Sequence, residues 1–263
     1  MRWKILDKKT FLNNFTLDDT GALASLYEDV ELCNKIQYPI YTKIFFPPEV
    51  WSTLENMKNA LGIEVESKGV TKESEKRVIL IKPLDFLEYN EDYPLAYFQI
   101  KGGSKFKELE HRHFLAAIMG LGIKREMLGD LIVRDGVCYG VIFRDLFSFL
   151  ENNLKVIGKI GVDISETEEG NIPEMEFEEV IYLVSSLRLD SIVAAITEKS
   201  RSQATELIKE GTVSVNYSVR REKNISIKDG DIITVRRKGK FIFKEVTGVS
   251  KKGKQRVLLK KYK

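Results

Sequence analysis

"SRSQATELIKEGTVSVN", residues 200–216, decides how the C-terminal third of the chain is read. Ser200 and Gln203 stand at capping-box spacing, Ala204, Leu207 and Ile208 make an apolar stripe of helical period, and Gly211 supplies a stop. "TVSVN" then alternates like a half-buried strand. A short helix running into a strand follows. Lys199 and Arg201 sit awkwardly in it. They flank the helix start, where the backbone dipole is positive, so cations cost about 0.3–1 kcal/mol and anions are favoured.

The surrounding sequence is unusually basic. Arg188 to Lys263 holds 20 Lys and Arg against 8 Asp and Glu, while the 187 residues before it hold 22 against 31. A strongly basic module on an acidic chain predicts a polyanionic partner. A solubilising lysine tail explains "KKGK" and "KKYK" but not the ordered pattern between them. With 43% hydrophobic residues over 263 positions, the chain has enough apolar material for two or three cores. It contains no apolar run long enough to span a membrane, and "MRWKILDKKTFLNNF" lacks the features of a signal peptide. Cys33 and Cys138 are far apart and outside any CxxC pair, which predicts reduced, buried thiols in a cytoplasmic protein.

The expected architecture is α+β in three parts. Residues 1–90 read as a small α/β region. Its helix "DDTGALASLYEDVELCNKI" is followed by a strand "YTKIFF", a Pro47-Pro48-initiated helix, and strands "IEVES" and "RVILIKP". Residues 91–180 read as strand "PLAYFQIK", helix "SKFKELEHRHFLAAIMGLG", strands "GDLIVRD" and "VCYGVIFRD" around Asp135-Gly136, helix "LFSFLENNL" and strand "KVIGKIGV". That βαββαβ order is ferredoxin-like. An acidic stretch, 163–180, is a loop or a strand leading onward. Residues 181–263 begin with two helices, then strand "TVSVN", a turn at Asn216-Tyr217, strand "ISI", turn "KDGD" and strand "IITVRR".

Two helices on a small sheet bring the second helix start and the following loops to one side. Lys199, Arg201, Lys209, Arg220, Arg221 and Lys223 are then candidates for one surface. The helix start offers N–H groups, Ser200 and Ser202 offer hydroxyls, and Arg201 offers a fork matched to phosphate. On this reading an RNA phosphate offsets the misplaced charge, and Arg201 and Lys209 serve binding without serving the fold.

"RLD" (188–190), "SRSQATELIKEGTVSVN" and "IKDGDIITVR" (227–236) resemble the S-four RNA-binding domain, a module named after a small-subunit ribosomal protein and also called alpha-L type. The resemblance implies docking on structured RNA through the second helix and the loop after the first strand, which carries over to Lys199, Arg201, Ser202, Lys209 and Arg220, with Arg221 and Lys223 adjoining. Arg188 either joins them or ties the helices together with Asp190. Tyr217 stands where glycine is usual, which leaves the turn shape open. "RHFLAAIMGLGIKREMLGDLIV" (112–133) and "FKEVTGVSKKGKQRVLLKKY" (243–262) resemble the bacterial YlmH family, whose plant and cyanobacterial relatives are linked to photosystem II. That resemblance implies a non-enzymatic protein of the large ribosomal subunit that binds 23S-type rRNA and tRNA, rescues stalled nascent chains after subunit splitting and has a connection to cell division; a monomer is expected.

Chemistry finds little support in the sequence. The "HIGH" and "KMSKS" strings of a tRNA synthetase are absent, "GLG" (120–122) follows a helix and not a strand, and no zinc ligand set exists. Asp190 lies in the binding module, not in a separate catalytic domain, and reads as structural. No catalytic residue, metal or cofactor is assigned. Two alternatives stay open: an RNA-modifying enzyme of pseudouridine synthase or methyltransferase type with its chemistry in residues 1–160, and a scaffold whose basic tail meets lipid or acidic partners. Lys124 and Arg125, in a loop, are a second candidate RNA contact. Tyr97, Tyr139 and Phe143 are available either to stack bases or to pack a core, with packing favoured for Phe143.

Overall fold

A computed structural model describes residues 6–15, 19–86, 92–102 and 109–262. These fall into two compact units, Met1–Glu174 and Met175–Lys263.

The first unit opens with α1 (Lys8–Leu12), α2 (Thr20–Ile36), β1 (Ile40–Tyr41), α3 (Pro48–Leu61), β2 (Ile63–Lys68) and β3 (Val78–Pro83). Helix α2 starts where the Asp19 carboxylate accepts from the Ala22 N–H, and it buries Leu23, Leu26, Tyr27, Val30 and Cys33. Pro48 opens α3, and Gly62, at φ 65°, ends it. The strands form an antiparallel sheet in the order β1-β3-β2. "YTKIFF" is not one continuous strand: Tyr41 joins the ladder beside Ile40, and Phe46 returns only as an isolated bridge to Arg77. Thr42 then takes over, its hydroxyl accepting from the Ile79 N–H and donating to the Ile44 carbonyl, so the chain leaves the sheet. Phe45 and Phe46 enter different apolar clusters.

Next come β4 (Leu95–Gly102), α4 (His111–Gly120), β5 (Leu128–Arg134), β6 (Val137–Phe143), α5 (Arg144–Asn153), β7 (Val156–Ile157) and β8 (Ile160–Glu166). The antiparallel order β5-β6-β4-β8-β7 is the ferredoxin-like arrangement, with "KVIGKIGV" split into a β7–β8 hairpin at Gly158. Asp135 and Gly136 both adopt positive φ, as a type I′ hairpin turn requires. Residues 104–108, the expected first part of this helix, lie outside the described residues. Helices α4 and α5 cover one face of this sheet through Phe114, Ile118, Phe147 and Leu150.

The other face of that sheet is also covered. Phe45, Val70 and Val78 pack with Leu95, Val141 and Phe143, and half-buried Tyr97 and Tyr139 lie in the same layer. β3 is accordingly buried on both sides. The Asp130 carboxylate fixes the connection, accepting from the Glu75 and Lys76 N–H groups at 2.6 and 2.9 Å. Burial raises the Asp130 pKa, and those two hydrogen bonds oppose the shift. Tyr97, Tyr139 and Phe143 therefore serve packing within the chain, not base stacking.

The second unit holds β9 (Phe177–Val184), α6 (Leu189–Thr197), α7 (Arg201–Lys209), β10 (Val213–Val215), β11 (Ser218–Val219), β12 (Ile232–Val235), β13 (Gly239–Val249) and β14 (Gln255–Tyr262). They make one antiparallel sheet, β11-β10-β12-β13-β14-β9, with the late part of the acidic stretch as its edge strand. Helices α6 and α7 bury Ile192, Val193, Ala204 and Ile208 against Val213, Ile233, Phe241 and Val257 on one sheet face. "ISI" is not a strand. Ile225 and Ile227 exchange backbone hydrogen bonds with Leu189 and Leu187, and only Ser226 forms a bridge, with Arg188.

Replacing Asp130 with Ala strands two amide donors and is expected to cost about 2–3 kcal/mol. Denaturant unfolding checks this, and Asp130→Asn, which keeps an acceptor oxygen, should lose less.

Candidate nucleic-acid interface

Helix α7 has the capping box its sequence predicts: Ser200 Oγ accepts from the Gln203 N–H, and the Gln203 side chain accepts from the Ser200 N–H. Its first residue, Arg201, does not await an external anion. The guanidinium donates to Asp190 Oδ2 at 2.7 Å. Asp190 sits in the first turn of α6 and is 3% exposed. Arg188 donates to both oxygens of the same carboxylate, at 3.2 and 3.3 Å, and to Asn224 Oδ1 at 2.7 Å. Burial alone would raise the Asp190 pKa; the hydrogen bonds and charges of Arg201 and Arg188 outweigh it and hold the carboxyl below its ordinary value.

This corrects the expectation drawn from the helix dipole. Arg201 is held at a positive helix end by an intrachain carboxylate, and Arg201→Glu would set two carboxylates against each other. Arg201 therefore serves the fold. Arg188 resolves in the same direction, tying the two helices together with Asp190.

The clamp also aligns the loop after β11. At one end of α7, Arg221 donates to the Lys209 carbonyl at 2.7 Å, a favourable seat for a cation at a helix C-terminus. At the other end, Asn224 accepts from Arg188 and so joins the Asp190 cluster. Residues 221–224 thus run alongside α7, a helix about 12 Å long. Lys199, Arg201, Ser202, Lys209, Arg220, Arg221 and Lys223 are all exposed, and the loop is tied both to the end of α7 and to the Arg188–Asp190–Arg201 cluster. Arg201, Thr205 and Lys209, four residues apart, share one stripe of α7. Lys209 pairs with Glu206 at 3.0 Å, an exposed contact worth about 0–1 kcal/mol that a phosphate could displace.

Lys124 and Arg125 behave differently. Arg125 donates to the Leu128 and Gly129 carbonyls at 2.6 and 3.2 Å, so its fork is engaged in holding its own loop. Lys124 is exposed. His113 accepts from the Glu110 N–H and caps α4. Asn224 was not foreseen. Its only sequence signal is position in the loop, and its partner lies 36 residues away.

Asn216 and Tyr217 both take left-handed backbone, φ 48° and 64°, giving a type I′ turn despite the missing glycine. The Asn216 side chain donates to Asp231 and accepts from the Ile232 N–H, which pins this turn to the "KDGD" turn.

The titratable cleft of greatest chemical interest is in the first unit. It measures about 230 Å³ and is lined by Asp19, Ser25, Asp29, Lys43 and Glu126, among others. Burial pushes Asp29 up to about 6, with Lys43 opposing and Glu28 adding to the rise. Asp19 is spent capping α2, and the volume lies below the range usual for small-molecule sites. Cys33 and Cys138 are free and buried, and burial pushes both thiols up to about 12. Among the described residues no group of three or more His, Cys, Asp or Glu is placed to hold a metal, and no helix is long and apolar enough to cross a membrane.

Residues 89–171 match the family described as "Putative RNA-binding domain in YlmH", and residues 187–233 match the S4 domain. The chain thus matches a YlmH-type domain followed by a C-terminal S4 domain. It is 27% identical over 229 residues to the "Ribosome-associated protein quality control protein P2" of Bacillus subtilis (strain 168), covering 86% of this chain and 89% of that one. Its fold is similar to that of "Cell division protein ylmH from Streptococcus pneumoniae", with a TM-score of 0.52 at 24% identity, over 61% of this chain and 97% of that one.

Asp190→Asn is expected to lower stability at neutral pH by about 1–3 kcal/mol. Because folding depresses this carboxyl, its contribution is complete above the unfolded value near 3.9 and fades as pH falls through the lower folded value. Wild-type stability should therefore drop further than that of Asp190→Asn below about pH 4, as read by urea unfolding across pH.

Proposed function

We propose that this protein binds structured RNA on the large ribosomal subunit through the α7 flank and acts there, without catalysis, in the rescue of stalled nascent chains. The observation supporting this is that the 221–224 loop is tied at one end to the α7 C-terminus through Arg221 and at the other to Arg188 of the Asp190 cluster through Asn224, with exposed cations on both elements of a basic unit. Phosphate contacts supply most of the affinity, and the shape of the RNA supplies the selectivity. The ribosome enters through the Bacillus relative, whose name places that protein with ribosome-associated quality control. The YlmH-type and S4 domains support RNA as the ligand, with rRNA and tRNA of the large subunit as the candidates. A cytoplasmic setting fits that role, and the reduced, buried cysteines are compatible with it. A connection to cell division is supported by the name of the Streptococcus protein alone.

For the enzyme alternative the Asp29 cleft offers a raised carboxyl, whereas a larger cleft of about 530 Å³ in the same unit, lined by Trp51, Lys68, Arg77, Tyr93 and Glu169 among others, offers rings and charged groups. In the former, Lys43 faces Asp29 as its counter-charge, and the remaining acids give no nucleophile-and-base pair.

The test leaves the clamp intact. Lys199→Gln with Lys209→Gln, and Arg220→Gln with Lys223→Gln, remove charge without touching Arg188, Asp190, Arg201 or Arg221. Each pair should weaken co-sedimentation with large subunits by about tenfold or more and flatten its salt dependence by roughly one unit of slope per lost phosphate contact. Unchanged sedimentation with unchanged unfolding would reject the α7 flank.

A further inference from the structure

The sheet of the second unit has two faces, and α6 and α7 cover only one. On the opposite face a row of rings and ammonium groups runs across the strands. Lys240 of β13 lies over two rings, 5.6 Å from that of Tyr217 in the β10–β11 turn and 4.6 Å from that of Tyr262 in β14. The Tyr262 ring stands 4.9 Å from Phe177 of the edge strand β9, in a T-shaped pair, and Lys260 lies 5.9 Å from the Phe177 ring. Register explains the order: Phe177 pairs with Tyr262, and Phe241, next to Lys240, pairs with Lys261. The buried residues Phe241, Phe243, Val257 and Leu259 alternate with this set and point to the helices.

We infer that this half-exposed face, turned away from the helices, is a second RNA contact, which takes unpaired nucleotides by stacking their bases on the Tyr262 and Tyr217 rings while Lys240 and Lys260 meet the phosphates. The inference rests on the proposal that this unit binds RNA, and it assigns that binding a second surface and a different substrate class. Aromatic rings interleaved with cations on a sheet are the recurring platform for single strands, since every base offers a π-face. A duplex keeps its bases stacked inward, so it suits the cationic α7 flank and not this row. Two acids share this face: Glu179 is partnered by Lys260 at 3.9 Å, which reduces its repulsion of a phosphate, and Glu245 lies further along β13, opposite Leu258 and away from the rings. Ile181, two residues further along β9, is 60% exposed and extends the apolar surface beside the rings. The single-strand class is favoured over an apolar protein partner because two ammonium groups sit within 6 Å of the rings.

The test uses the full chain with two probes, a labelled ten-nucleotide uridine oligomer and a blunt RNA duplex. Tyr262→Leu, and separately Lys240→Gln with Lys260→Gln, should weaken oligomer binding by about tenfold each. Both should abolish photocrosslinking of a bromouridine-substituted oligomer while duplex binding stays within about twofold. Lys251→Gln with Lys252→Gln, the same charge loss at the β13–β14 turn, should leave oligomer binding nearly unchanged. Lys199→Gln with Lys209→Gln should do the reverse of Tyr262→Leu, losing the duplex and keeping the oligomer. Unchanged oligomer affinity in Tyr262→Leu, or an equal loss in the Lys251/Lys252 control, overturns the inference. If duplex binding survives the Lys199/Lys209 change, the α7 proposal fails independently.

Discussion

The C-terminal unit depends on one buried carboxylate. Asp190 carries a charge that would be costly to bury alone, and three surroundings compensate it: the Arg201 fork, the Arg188 fork and the positive end of α6 in whose first turn it lies. Helix α7 has nine residues, too few for a helix to persist by itself in water. Its apolar contacts, Ala204 and Ile208, seat it on the sheet but leave its rotation and the position of its entrance weakly specified. The Arg201–Asp190 bond fixes both. Because Arg188 reaches Asn224 as well, the same carboxylate governs where the 220–226 loop runs.

Two guanidiniums on one carboxylate leave a net positive charge beside the entrance of α7. A phosphate arriving there would meet cations that are already ordered and would not have to recruit flexible side chains, so less conformational entropy is lost on binding. The clamp that stabilises the fold is therefore also a means of preorganising the surface. Lys199, Lys209, Arg220 and Lys223 extend it on side chains with no structural duty, among the described residues, beyond the exposed Lys209–Glu206 pair. This division separates residues whose loss unfolds the unit from those whose loss only weakens a complex.

The first unit turns the same logic inward. A ferredoxin-like sheet with aromatic residues on its outer face suggests a nucleotide platform, yet here the segments around Phe45, Val70 and Val78 occupy that face, and Asp130 secures the cover through two backbone amides. Arg125 is likewise engaged with the carbonyls of Leu128 and Gly129. The side chains that look most available for RNA in this half are engaged in packing and loop closure, so an RNA contact in residues 89–171, which match a putative RNA-binding domain, would have to use others, against the acidic balance of residues 1–187.

What the sequence made legible was local. The capping box of α7, the Pro47-Pro48 helix start, the Asp135-Gly136 turn and the βαββαβ order all follow from neighbours a few residues apart, and each is present. Phe177 against Tyr262, Tyr217 against Lys240 and Arg188 against Asn224 join positions tens of residues apart, and no periodicity encodes them. "YTKIFF" and "ISI" are interrupted by local choices of partner: the Thr42 hydroxyl takes the Ile79 N–H, and Ile225 and Ile227 bond to Leu189 and Leu187 at the start of α6. Arg201 lay between these cases. Its misfit with the helix dipole was visible, and the inference that something negative must lie opposite was sound, but the opposing group was eleven residues upstream in "RLD". A cation at a helix entrance should first be matched with the carboxylates of its own chain, because a covalently tethered partner is present at high effective concentration before any ligand arrives. Only charges left over after that matching are informative about what the protein binds, which is why the proposed contacts are Lys199, Lys209, Arg220 and Lys223 and not the clamp itself.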